Sequence, residues 1–212
     1  MTDAGAVQML SAWLSPGFPV GAYSYSHGLE WVIETGAVQD RETLRAWIAD
    51  CIRFGAGRSD AILLAHAHAA DDPAEIAALA EALAPSTERH LETMAQGAAF
   101  AATVDVVWGG PVAPAAYPVA LGCAARAHDL PLELTATLYL QAFAANLVSA
   151  GVRLIPLGQT EGQRALAALA PLCAEVAAAA LTAPLEDIGG CALSADLAAM
   201  LHETQTTRLY RS

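Results

Sequence analysis

Helical signals dominate this 212-residue chain and predict an all-α fold, a single-domain bundle of about eight to ten helices. Three observations carry the prediction. Residues of the set AVILMFWYC make up 55% of the chain against 15% charged, and much of that apolar share is alanine, a small residue that favours helices and lets them pack closely. No β-branched run of period two occurs; the nearest candidates, residues 103–108 and 152–157, are short and adjoin glycine or proline. Apolar residues recur instead at helical spacing, between glycine, proline and capping residues.

The first element is a helix over residues 6–14, ended by Ser15-Pro16-Gly17, and the glycine- and proline-rich stretch to Tyr23 reads as a loop. Around Ser26 the chain enters a helix carrying Leu29, Trp31, Val32 and Ile33. Asp40 reads as an N-cap, with Thr43 at the capping-box position, for a helix over 41–54. On it Leu44, Trp47, Ile48 and Cys51 share one face. Gly55 and Gly57 break that helix, and Ser59 begins another to Ala70. Asp72-Pro73 opens a helix to Leu83, with proline at its start, and Pro85-Ser86 opens a long one to about Val107. Trp108-Gly109-Gly110-Pro111 is a turn between helices, being short and flanked by apolar segments. Helices over 115–128, 131–150, 160–182 and 194–206 follow. The tail, 207–212, is too short to be a packed element and is expected to be flexible. With no internal repeat or low-complexity linker, residues 1–212 form one domain.

Charge removes several function classes. The net charge is −12, and all 10 basic residues are arginine. Without lysine there is no Walker-A phosphate lysine, Schiff-base lysine or lysine base. An acidic chain with scattered arginines lacks the basic stripe that nucleic acid requires. Residues 165–183 are nearly all apolar, but Pro171 and Glu175 interrupt them, and a mid-span glutamate costs about 2–3 kcal/mol in a bilayer. A buried amphipathic helix is the better reading. Residues 1–8 carry no positive charge ahead of an apolar run, so no signal peptide is expected. Cys51, Cys123, Cys173 and Cys191 form no CxxC pair and read as reduced, buried residues of a cytoplasmic protein.

Catalytic patterns are nearly absent. His66 and His68 form HxH, but on a helix residues two apart point about 200° away from each other, so they are expected to be packed or exposed histidines and not a metal site. Glu30 and Glu34, at i and i+4, read as a solvated face rather than an acid–base pair. Ser24, Ser26 and His27 are too close in sequence to converge as a nucleophile and its base. No G-x-S-x-G and no phosphate loop occurs. No catalytic residue, cofactor or metal site is expected, and the chain does not read as an enzyme.

Three segments look specified beyond packing. Residues 14–30, LSPGFPVGAYSYSHGLE, fix an irregular path that presents Tyr23, Ser24, Tyr25, Ser26 and His27, as suits a protein interface; the alternative is a loop that covers the core. Residues 149–163, SAGVRLIPLGQTEGQ, set Arg153 between apolar residues, where a buried guanidinium would need a carboxylate or carbonyl. Residues 202–212, HETQTTRLYRS, carry Arg208, Tyr210 and Arg211, which are interface-type residues on a chain end.

These segments resemble, in order and spacing, the N-terminal, central and C-terminal signatures of the UreF family of urease accessory proteins, with Ala22, Thr206 and Tyr210 departing from the usual residues. The resemblance implies an all-α homodimer, not itself an enzyme. It implies binding to the accessory protein UreD (also called UreH), recruitment of the GTPase UreG, and coupling of GTP hydrolysis to nickel delivery into apo-urease. By match to the motifs, the partner-facing set is Tyr23, Ser24, His27, Glu30, Arg208, Tyr210 and Arg211. Two readings of other classes stay open. One is a small helical enzyme or ligand-binding protein, which would need polar groups converging in a core cavity with displaced pKa values. The other is a membrane-associated helical protein.

Overall fold

Local side-chain hydrogen bonds mark the starts of four helices in the computed structural model, which describes residues 2–189 and 192–212. Helix α1 (Asp3–Trp13) begins at Thr2, whose hydroxyl accepts from the Gly5 N–H. Helix α3 (Arg41–Phe54) has the expected bounds, because the Asp40 carboxylate accepts from Thr43 N–H while the Thr43 hydroxyl turns back to the Asp40 backbone. Helix α6 (Thr87–Trp108) starts at Ser86, which caps Arg89 N–H, and α5 (Ala74–Ala82) starts where Asp72 accepts from Ala74.

The remaining α-helices among the described residues are α2 (Leu29–Glu34), α4 (Ala56–Ala69), α7 (Tyr117–Ala127), α8 (Leu132–Leu154), α9 (Gln159–Ala180) and α10 (Leu193–His202). Short 3-10 turns at Ala22–Ser24 and Leu185–Asp187 complete the order. Among the described residues no strand forms, and no helix is long and apolar enough to cross a membrane.

Several boundaries differ from the sequence expectation for stated reasons. Helix α2 begins at Leu29, because His27 (φ 55°) and Gly28 (φ 73°) adopt the left-handed conformation that ends the loop. A Cβ on Gly28 would lie 2.6 Å from the Ala199 backbone N, so this glycine also lets α10 approach. Gly55 breaks the chain, but Gly57 sits inside α4, its missing side chain letting the helix pass against Ile52. Helix α8 continues through Gly151 to Leu154, and α10 stops at His202.

Helix α8 forms the spine. It packs beside α9, α4 and α3, while α4 and α6 both lie against α7 and α3 against α9. One apolar core joins Leu10, Trp13, Leu44, Ile48, Leu64, Phe100, Leu121, Leu140 and Leu147, and each fully buried side chain of this size contributes about 1.5–3 kcal/mol. Trp13 is fully buried and meets Phe100, Trp108 and His128 edge-on, with ring centroids 5.4, 5.9 and 5.4 Å away. A smaller cluster of Leu63, Ile76, Ala80 and Val119 closes the α4–α5–α7 side. Cys51 and Cys173 are buried free thiols, pushed up to about 12 and about 11 by burial. Cys123 is half-buried, and Cys191 lies outside the described residues. The His66 and His68 rings point to different partners, each Nε2–H donating to a carbonyl, of Ala183 (3.0 Å) and Leu130 (3.1 Å) respectively.

Candidate functional site

The loop after α1 and the segment after α10 meet on the α2–α10–α6 side of the bundle. The Ser26 N–H donates to the Ser212 carbonyl oxygen at 2.7 Å, the Ser26 hydroxyl donates to the same oxygen, and the Arg211 N–H donates to the Ser24 carbonyl at 2.8 Å. Residues 207–212 form no regular element, yet Tyr210 and Ser212 are buried.

Glu30 is the anchor of this junction. Although it stands one turn from Glu34 on α2, it is only 6% exposed, so the expected solvated pair does not form. Its carboxylate accepts from the Leu209 N–H (2.7 Å) and the Tyr210 N–H (3.0 Å). The fully buried His202 bridges it to α6: Nε2 lies 3.2 Å from Glu30 and Nδ1 2.7 Å from Glu88. A carboxylate therefore stands at each ring nitrogen. Arg208 pairs with the other Glu88 oxygen, and Glu34 accepts from Gln205. Four side chains from α2, α6, α10 and the tail therefore hold one another.

A second buried network lies beneath. Arg89 and Glu92, one turn apart on α6, pair at 8% and 2% exposure. Glu92 also accepts from Gln96 (3.1 Å) and from the Ser212 hydroxyl (2.7 Å), so the tail closes over this pair. Burial raises the Glu92 carboxyl, but the Arg89 guanidinium, the largest opposing cause, outweighs it and the group is held far below the usual carboxylate range. Burial and the Arg89 guanidinium push His27 down, so it is neutral. Its Nε2 accepts from Arg89 at 2.9 Å and lies 3.0 Å from Glu92, both groups being drawn to the same guanidinium.

Beside this network is a cavity of about 180 Å³ walled by Trp13, Tyr23, Asp60, Tyr117, Tyr139 and Arg153 among others. Tyr139 donates to Asp60 at 2.7 Å, and burial pushes the Asp60 carboxyl up to about 6. A second cavity of about 120 Å³ shares Asp60, Arg89 and Thr93 with the first. Among the described residues no group of three or more His, Cys, Asp or Glu could hold a metal ion.

The structure thus brings together all seven residues singled out from the sequence, but at two depths. His27, Glu30 and Tyr210 are buried; the polar atoms of His27 and Glu30 find partners inside, whereas the buried Tyr210 hydroxyl has none among the described residues. Tyr23, at 64% exposure, with Arg208 and Arg211 forms the outer layer, and Ser24 is half-buried between them. Sequence reasoning missed Arg89, Glu92, Asp60, Tyr139 and His202. A signal existed for two of them: Arg89, Glu92 and Gln96 lie on the same stripe of α6 as Phe100 and Val104, so that polar residues occupy a core-facing row.

Comparison with known proteins gives a consistent relationship. The UreF family model matches residues 38–170. Similar proteins include the urease accessory protein UreF of Cereibacter sphaeroides (strain KD131 / KCTC 12085), 58% identical over 99% of this chain and 100% of its own length. The urease accessory protein UreF of Roseobacter denitrificans is 53% identical over 96% of this chain and 92% of its own, and that of Rhodopseudomonas palustris (strain BisB18) 50% over 99% and 93%. A family match over more than half the chain, an all-helical fold and end-to-end similarity at this level show that the chain belongs to the UreF family.

Proposed function

We propose that this chain is a urease maturation factor. As a cytoplasmic homodimer and non-catalytic scaffold, it binds UreD (UreH), recruits the GTPase UreG and couples GTP hydrolysis to delivery of nickel, the cargo, into apo-urease. The observation that carries this reading is the layered junction of loop and tail. Tyr23, Ser24, Arg208 and Arg211 are displayed on a platform whose charges are internally satisfied through Glu30, Glu88 and His202. Aromatic and arginine side chains on a pre-ordered surface suit a protein interface better than a reaction centre.

The test is co-purification with UreD and UreG followed by size-exclusion chromatography with light scattering. A stoichiometric complex containing two copies of this chain is expected. Arg211→Ala abolishes the ternary complex while leaving the helical circular dichroism unchanged; undiminished co-purification of that variant overturns the assignment of the surface. The Asp60–Tyr139 cavity favours a second reading, a small-molecule site, because polar groups with displaced pKa values converge there. Under that reading Asp60→Asn abolishes function, whereas under the scaffold reading it leaves complex formation intact.

A further inference from the structure

In a chain with 22 acidic and 10 basic residues, every arginine has a surplus of carboxylates to find. Among the described residues, only Arg53, Arg153 and Arg211 have none within ion-pair distance. Arg53 stands apart in the last turn of α3, where the negative helix end suits a cation. The other two are neighbours of Tyr210, Arg153 through its side chain and Arg211 along the chain. The Arg153 guanidinium lies 5.4 Å from the ring centroid, and its Nε and Nη2 are fixed to the Ser149 carbonyl and hydroxyl at 3.2 Å each, which leaves Nη1 unassigned. Arg211 follows Tyr210 directly, and its backbone is pinned to Ser24, next to the exposed Tyr23. Tyr23 and Arg153 both border the mouth of the larger cavity.

The acids of the loop–tail junction are already engaged. Glu30 is committed to two backbone N–H groups and His202, Glu92 to Arg89 and Ser212, and Glu88 to His202 and Arg208. The exposed Arg153 and Arg211 are therefore without a carboxylate among the described residues of a strongly acidic molecule. The Arg153 side chain, held over Tyr210 and by Ser149, loses little freedom when an anion arrives.

We propose that Arg153 and Arg211, with Tyr23 between loop and tail as the apolar anchor, form a receptor for a carboxylate-bearing segment of a protein partner. The inference rests on the scaffold reading and adds to it the partner's chemistry and a residue, Arg153, outside the motif-matched set. A protein segment fits better than nucleic acid or an anionic membrane. A net charge of −12 repels an extended polyanion, whereas one or two carboxylates at contact distance feel chiefly the local guanidiniums, since charges beyond about 10 Å are screened.

The experiment measures binding of the purified UreD–UreG pair to this chain over a series of NaCl concentrations, for the parent, Arg153→Gln, Arg211→Gln and the double variant. Arg153→Gln is expected to lose about tenfold in affinity and Arg211→Gln more than that, and the double variant to show a flatter dependence on salt wherever its binding is measurable, while Arg153→Lys retains the parent salt slope. Thermal denaturation of the free chains confirms that neither change unfolds the protein. If the parent binds and the double variant matches it in affinity and salt slope, the carboxylate receptor is refuted and the scaffold reading stands. If the parent fails to bind at all, the scaffold reading falls and the receptor with it.

Discussion

Removing the Glu30 carboxylate should release the tail without unfolding the bundle. Glu30 accepts from two backbone N–H groups at 2.7 and 3.0 Å and faces the His202 ring at 3.2 Å, at 6% exposure. Hydrogen bonds to a charged group are worth about 1.5–3 kcal/mol each. The three do not add, because in Glu30→Ala the tail can move and water can reach the exposed N–H groups. Deleting one member of a buried ion pair costs about 3–5 kcal/mol, and that is the expected loss. A domain of this size is stable by about 5–15 kcal/mol, so the variant stays folded at room temperature. Urea denaturation followed by tryptophan fluorescence gives the energy, and amide hydrogen exchange locates it. Leu209, Tyr210 and Arg211 should lose protection while α8 and α9 keep theirs. A loss below about 1 kcal/mol with unchanged exchange at these three amides would refute the anchoring role.

Other perturbations test separate parts of the structure. Burial pushes Asp60 up to about 6, so the folded state holds a proton that the unfolded state, at about 3.9, has lost. Stability contributed by the protonated form is therefore lost as pH rises from about 4 to about 6, by up to about 3 kcal/mol. Asp60→Asn should raise stability at pH 7.5 by about 1–3 kcal/mol and erase that slope relative to the parent in denaturation at stepped pH. Gly97→Ala should destabilise by about 3 kcal/mol despite the helix-propensity gain, because the new Cβ would sit 1.8 Å from the Ala115 carbonyl oxygen; a higher melting temperature would contradict that contact. The buried Tyr210 hydroxyl has no hydrogen-bond partner among the described residues, so Tyr210→Phe should be neutral or stabilising by about 1 kcal/mol, and a clear loss in chemical denaturation would show that the hydroxyl is bonded.

What was legible in the sequence was what neighbouring residues decide. Asp40 and Thr43 settle the start of α3 between themselves, and Ser86 and Asp72 do the same for α6 and α5. The start of α2 was hidden because it depends on Gly28 making room for α10, some 170 residues later in the chain. Glu30 was misread for the same reason. On its own helix it looks like half of a solvated pair, and only the arrival of Leu209 and Tyr210 makes it an interior anchor. The surface residues of the loop and tail were recognised by motif, yet their division into a buried and a displayed layer required the fold. The pairing of Arg89 and Glu92 is not written in their own helix alone, although their spacing to Phe100 sets them on its buried row.

The bond between Ser26 and Ser212 joins residues 186 positions apart, and it bears on how the cell could sort good copies from bad. Most of the apolar core lies between α1 and α9, so a chain cut after α9 by a protease or a premature stop would still bury most of that core. It would nevertheless lack His202, Arg208 and Arg211, and would leave Glu30 and Glu88 without their side-chain partners from α10 and the tail. Such a fragment would be stable enough to persist but blank where a partner should dock. Under the scaffold proposal, display of the docking surface is thus conditional on an intact polypeptide, and damaged molecules would be kept out of assembly without any separate inspection step.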